Sequence, residues 1–433
     1  MAGIGAAFAL RSGGELEVTV VERERELGGL AGSFVHDGAF YPLGYHHILP
    51  SDRTLSYFLA VAGASAAVRW RRVRLLFWSG DGLHALGHPA GLLRFPMPAS
   101  AKAGLMALSA YAFARNDWSR WEGRSAEELI DAWGGRGLRE HLFEPLTRLK
   151  FDRTCAEVSA AWLGARLHSR EGASRLGYIP GTNWTKVLCD GLTRALEGLG
   201  CELRTRTAAG RILHRDGRVT GVELESGEVL SADALVSTVP APVHRRLLPD
   251  DATPEIAAIR YTALLSLVCA TRQPIDPEFY WLTISTMDRT AGAIFDLTSL
   301  NPSIGHEGET CLNFVTHLAD ADAELFRMPE DRLMERYLDD ARAVLGVALE
   351  SGWRHLSRIP LYSPIFDPGY RNPPLRSTSF PNLYYAGNHC THPSVASTGT
   401  ALGSGLDAAR ALLGDSGAPD AVPAAPGSGT RRR

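Results

Sequence analysis

What the chain has little of narrows it first. It carries only six cysteines (Cys155, Cys189, Cys201, Cys269, Cys311 and Cys390), far apart and with no CxxC pair. A scattered set in a long chain predicts reduced thiols in a cytosol, not a disulfide framework. No His/Cys cluster has ligand spacing, so no metal site is expected. No run of about 18 uninterrupted apolar residues appears, so no membrane span is expected. The first residues hold no basic segment followed by an apolar core, so no secretory signal is expected either. Charge is short on both sides: charged residues make up 21% and the net charge is −3, which speaks against general nucleic-acid binding. There is no internal repeat and no Ser/His/Asp arrangement with persuasive context. Hydrophobic residues at 45% are ordinary for a globular protein, and 433 residues leave room for two or three domains.

What is present begins at the first residue. "GIGAAFALRSG" predicts a helix stopped at Gly13-Gly14, and "LEVTVVE" predicts a strand over Leu16–Glu22. A dinucleotide fingerprint runs strand, G-x-G-x-x-G, helix, second strand, then an acid about 20 residues on. Gly3 fits the last glycine and Glu22 fits the acid, whose role is to accept from a ribose hydroxyl. The first strand and first two glycines have no counterpart. The spacing predicts that Met1 is an internal methionine of a longer chain; the alternative is a chain that begins here and binds its nucleotide poorly or not at all. After Glu22 comes "ERERELGGLAGSF", in which Gly28-Gly29 and Gly32 let the chain pass close to a cofactor.

Further along, Thr54–Ala62, "AEELIDAWGG", "LREHLFEPLTRL", "NWTKVLCDGLTRALEGLG" and "MPEDRLMERYLDDARAVLG" predict helices. Strands are predicted through residues 201–240, with turns at Asp216-Gly217 and Ser226-Gly227, and again through 260–320. "NLYYAGNHCTHPSVASTGTALGSGLDAARALLG" predicts strand, loop and helix. Gly, Pro, Ala and Ser dominate beyond Gly414, predicting a disordered tail over 415–433.

The double-glycine stretch after the second strand resembles the signature of the flavoprotein amine oxidase superfamily. That group includes phytoene desaturases, protoporphyrinogen oxidases and, more distantly, UDP-galactopyranose mutases. "NLYYAGN" is similar to its late strand at the flavin's ribityl and pyrophosphate groups, with Asn388 where most relatives carry an acid. "STGTALGSGLDAARAL" is similar to its closing helix, whose first amides face the flavin N1–O2 edge. "YPLGYHHILPSD", "HLFEPLTRLKFDRTCAEVSAAWLGARLHSR" and "IPLYSPIFDPGY" resemble a bacterial, protoporphyrinogen-oxidase-like branch.

The resemblance implies an α/β protein: a discontinuous Rossmann-like FAD-binding domain with a mixed-sheet and helical substrate domain. The segments expected are 1–70, 181–255 and 361–414 for the first, and 71–180 and 256–360 for the second. FAD is the implied cofactor, held by Gly3, Glu22, Gly28, Gly29, Ala209, Gly387, Asn388, Gly399, Thr400 and Ala401. The implied reaction removes a hydride from an apolar or amine-bearing small molecule in the cytoplasm. A UDP-sugar mutase relative is the alternative, as is a catalytically impaired flavin-fold protein if the short N-terminus is real. His46, His47 and His389 are the candidate catalytic residues, and His392 shares the loop after Gly387. Cys390 is expected to be a buried thiol rather than a flavin attachment point. Phe279, Tyr280 and Trp281 are expected in the core, with a pocket wall as the second reading, and "SAKAGLMALSAYAFAR" as a packed helix, with a membrane-surface helix as the second. No nucleic-acid partner is expected, and the oligomeric state is open.

Overall fold

The computed structural model describes residues 1–13, 16–86, 89–169, 175–248, 252–276, 278–286 and 288–415. Gly14 of the expected helix stop, and the expected tail beyond Asp415, lie outside them.

The first and last helices meet. Ala2–Ser12 packs against Thr398–Asp415 closely enough for backbone to meet backbone. A Cβ on Gly5 would collide with the Leu402 carbonyl, and one on Gly405 with the Ala2 carbonyl. Small residues at both positions therefore set the close approach. A third helix, Trp184–Gly198, joins them, and Gly191 lies just as tightly on Ala62. Ile4, Leu10, Leu55, Phe58, Leu188 and Leu402 fill the shared core, each at most 7% exposed. Burying such a side chain is worth about 1.5–3 kcal/mol, so this core, shared by four helices, is what holds distant stretches of chain together.

Two parallel strand pairs stand beside the first helix. Thr19–Val21 pairs with Glu202–Arg204, and Leu235–Ser237 with Leu383–Tyr385. The helix touches one strand of each pair. The strand expected over Leu16–Glu22 is thus shorter than the run of β-branched residues suggests, because only Thr19–Val21 finds ladder partners. Ala209–Arg215, Arg218–Leu224 and Val229–Ser231 form a separate antiparallel sheet, turning at Asp216 and Gly217 with φ of 51° and 72°.

A seven-stranded mixed sheet makes the other half. Its order is Trp353–Pro364, Tyr261–Thr271, Thr310–Leu318, Ala293–Asp296, Trp281–Ile284, Leu75–Trp78 and Leu83–His84. Only the Trp281–Ile284/Leu75–Trp78 pair is parallel. Every residue of Tyr261–Thr271 is buried, as a strand covered on both faces requires. One face packs on the helix Glu330–Leu345 through Leu333 and Tyr337, the other on Phe34, Tyr41 and Tyr280. Helices between residues 89 and 169 cover the flank. Ala99–Phe113 packs through Ala101, Leu108 and Ala112 while Met106 and Phe113 face outward. Among the described residues no helix is long and apolar enough to cross a membrane.

Candidate functional site

Gly3 and Gly387, from opposite ends of the chain, lie against the same residue. A Cβ on Gly3 would stand 3.3 Å from Thr238 Oγ1, and one on Gly387 would stand 3.6 Å from the Thr238 carbonyl oxygen. Thr238 follows the strand Leu235–Ser237, so the strand end, the first helix and the last strand meet at one wall.

On one side of that wall is the double-glycine turn. Gly28 has φ 138° and Gly29 φ 57°, conformations that side chains rarely adopt. A Cβ on Gly28 would also stand 2.8 Å from Cys189 Sγ. Burial pushes the Cys189 thiol up to about 11, so it stays protonated. The Met1 α-amino group is buried close to Cys189 and Glu22, and burial lowers its pKa. Glu22 closes its own strand end: the Glu24 N–H donates to its Oε1 at 2.9 Å, and its backbone pairs with Arg204 and Thr207. Ala209 begins the next strand, two residues beyond Thr207.

On the other side is the loop after Tyr385. Gly387 has φ 135°, and its N–H donates to Ser404 Oγ of the last helix at 2.9 Å. Asn388 Oδ1 is buried and receives no donor from any described residue. A buried carbonyl without a donor is costly, and a ribityl hydroxyl of FAD is the kind of donor it lacks. This orphaned acceptor, together with two glycines whose absent side chains leave the wall open, fits the implied cofactor.

The start of the last helix is more fully occupied than expected. Thr400 and Ser397 cap it reciprocally: Thr400 N–H donates to Ser397 Oγ at 3.1 Å, and Ser397 N–H donates to Thr400 Oγ1 at 2.8 Å. The Ala401 N–H donates to the Ser397 carbonyl. A Cβ on Gly399 would collide with the Asp52 carboxylate. Asp52 also caps the helix Arg53–Val61 by accepting from Leu55 N–H at 2.8 Å, and burial raises its pKa.

The candidate histidines fall in two places. Along Tyr45-His46-His47 the side chains alternate. His46 Nε2 donates to the Leu30 carbonyl at 2.9 Å and so holds the double-glycine turn; burial lowers its pKa. His47 turns the other way: its Nδ1 shares a 3.0 Å hydrogen bond with Tyr280 OH, and its ring stacks on Trp281 at 5.4 Å. Tyr45 turns the same way, with its ring 4.5 Å from Phe295, 6.1 Å from Trp281 and 6.3 Å from His317. His389 and His392 sit with the last strand instead. Burial brings each down to about 4. His389 lies beside Gly387, and His392 Nε2 bonds Ser159 Oγ at 2.9 Å. Cys390 is half-buried, and burial raises its thiol to about 12. Phe279 and Tyr280 are core residues at 0% and 2% exposure, whereas Trp281 is half-buried in the aromatic cluster.

Asp52, Cys189, Thr238, Ser404, Tyr45, Lys150 and His317 also belong to these walls. Tyr45 stood beside the two histidines in sequence. The rest carry no local pattern, because each is brought in by an element remote in the chain.

A family model described as flavin containing amine oxidoreductase matches residues 1–413. No curated protein sequence matches. Among solved structures, a putative protoporphyrinogen oxidase from Exiguobacterium sp. shares 18% identity, with 96% of this chain and 97% of that chain covered and a TM-score of 0.77. A reduced UDP-galactopyranose mutase shares 16% over 97% of this chain and 94% of that one, TM-score 0.74. Putrescine oxidase bound to putrescine shares 16% over 95% and 97%, TM-score 0.73. At these identities the likeness is one of fold.

Proposed function

The chain belongs to the flavin-containing amine oxidoreductase family and is an FAD-dependent oxidoreductase, and from that premise we propose that it removes a hydride from an apolar small molecule held on the Tyr45–Trp281 cluster. FAD, when bound, supplies the two-electron acceptor for that hydride. Gly3, Glu22, Gly28 and Gly29 would hold its dinucleotide end. Gly387 and Asn388 would hold its ring end and Ala209 would flank the adenine side, while the turn at Gly399, Thr400 and Ala401, whose Thr400 and Ala401 amides are already bonded within the chain, would stand behind them.

The observation that carries the reading is the meeting of Gly3 and Gly387 at Thr238. It supports one ligand gripped by both ends of the chain. The loop Tyr45–His47 then joins cofactor and substrate: His46 fixes the turn on the cofactor side, while Tyr45 and His47 face the substrate side. We assign His46 and His389 to positioning and His47 to the substrate wall. Half-buried rings around the fully buried Phe295 offer an apolar surface from which bound substrate would displace water.

The test is anaerobic addition of apolar and amine substrates to the flavin-loaded protein. Bleaching of the flavin by an apolar compound supports the proposal. A flavin that no compound bleaches, but that turns over a sugar nucleotide without net oxidation, overturns it.

A further inference from the structure

Lys150 is a cation without a counter-charge, and it is turned into the aromatic cluster. Its basic neighbours in sequence are paired: Arg148 of the same helix with Glu144 at 3.3 Å, and Arg153 beyond the helix end with Glu157 at 3.9 Å. Lys150 on the helix Glu144–Phe151 has no carboxylate within 4 Å among the described residues. Its Nζ donates to Tyr45 OH at 3.1 Å and lies 5.7 Å from the Tyr45 ring centroid and 5.5 Å from that of Tyr362.

That contact orders the protons beyond it. Tyr45 OH accepts from an ammonium that can only donate, so its own proton turns to His317 Nε2, 3.4 Å away. His317 then carries its proton on Nδ1, which is buried and has no acceptor among the described residues. Burial, and the positive charges of Lys150 and Arg166, keep His317 neutral. Trp281 Nε1 is a second buried donor with no such acceptor. Among the described residues the cluster therefore holds one ammonium and two buried, unpartnered N–H donors among flat rings, and no carboxylate lies within 4 Å of the ammonium. An ammonium-bearing molecule would meet like charge at Lys150. A carboxylate would meet a cation and donors, the pairing that gives the stronger charge-assisted hydrogen bonds.

We propose that Lys150 anchors a carboxylate of the substrate, so that the pocket takes an aromatic or polycyclic carboxylic acid in preference to an amine. This rests on reading the Tyr45–Trp281 cluster as the substrate wall.

Indole-3-acetate and tryptamine test it, since they present one ring system with opposite charge. Binding of each to the flavin-loaded full chain is measured by calorimetry. A lost charged hydrogen bond is worth about tenfold or more in affinity, so the acid is expected to bind at least about tenfold more tightly than the amine. Lys150→Met is expected to remove that advantage by weakening the acid while tryptamine binds more tightly than before, and Lys150→Arg to keep most of it, both at unaltered thermal midpoint. Tryptamine binding as tightly as the acid, no binding of the acid, or equal weakening of both by Lys150→Met overturns the proposal. Should Lys150→Met not fold, the wild-type comparison alone decides. The readout is independent of redox turnover: a preference for the acid with no flavin bleaching by any compound would leave this inference standing and remove the oxidoreductase reading of the pocket.

Discussion

Gly5 lies directly against the Leu402 carbonyl, so the first and last helices touch backbone to backbone. The glycine-rich start and the glycine-rich end of the chain owe part of their composition to this contact rather than to any ligand. Gly5→Ala is expected to lower stability by about 1–3 kcal/mol, the usual cost of overpacking, and to loosen FAD in parallel. Gly405→Ala, from the facing helix, should behave alike. Thermal midpoints with and without FAD check this; a Gly5→Ala protein with unchanged midpoint and unchanged FAD affinity would show that the helices are free to separate.

Asn388→Leu separates stability from cofactor binding. Removing a buried carbonyl that has no donor relieves about 1–3 kcal/mol of desolvation cost in the FAD-free protein. The same change deletes an acceptor for the cofactor. The FAD-free midpoint should therefore rise or stay level while FAD affinity falls about tenfold, one hydrogen bond's worth. A flavin titration beside a denaturation curve reads both signs.

Gly28→Ala tests the double-glycine turn. A φ of 138° costs a side chain about 1–3 kcal/mol, and the new Cβ would stand 2.8 Å from Cys189 Sγ. Cys189→Ala in the same chain should recover the steric part of the loss and leave the conformational part. Urea midpoints of the two single variants and the double variant apportion them.

Acid should unfold the protein through its buried histidines. His244, His389 and His392 are each pushed by burial from 6.5 down to about 4. Between about pH 6.5 and pH 4 the unfolded chain takes up protons that the folded chain refuses, so stability falls with pH across that window and these groups add no further loss below it. At 1.36 kcal/mol per pH unit the ceiling is about 3 kcal/mol for each histidine. Urea midpoints at pH 7.5 and pH 4.5 measure the sum, and His389→Gln should flatten the dependence. A midpoint that does not move over this range would contradict the buried, neutral state.

The parts of the site readable from sequence are those where backbone geometry dictates a residue type locally. Gly3 meets its wall through the remote Thr238, whereas Gly28, Gly29 and Gly387 have positive φ, which favours glycine there whatever the distant context. The Ala-Gly-Asn run carried its meaning for the same reason. Thr400 was legible as part of a helix start, but its pairing with Ser397 was not foreseen, nor was the carboxylate of Asp52 lying on Gly399. The substrate wall was the least legible. Trp281, Phe295, His317 and Tyr362 come from four strands, Lys150 from a helix and Tyr45 from a loop. Each looks like an ordinary core or surface residue in its own segment. The opposite facing of His46 and His47 follows from the path of one loop, which no spacing rule reveals.

The central claim, that both ends of the chain close on one FAD, is tested most directly by flavin stoichiometry. The protein is incubated with FAD, freed of excess by gel filtration, and its flavin absorbance compared with its protein concentration, for the native sequence and for Asn388→Leu. The account predicts about one flavin per native chain and clearly less for the variant. A native protein that folds but emerges colourless, or a variant that retains flavin as fully as the native chain, would contradict it.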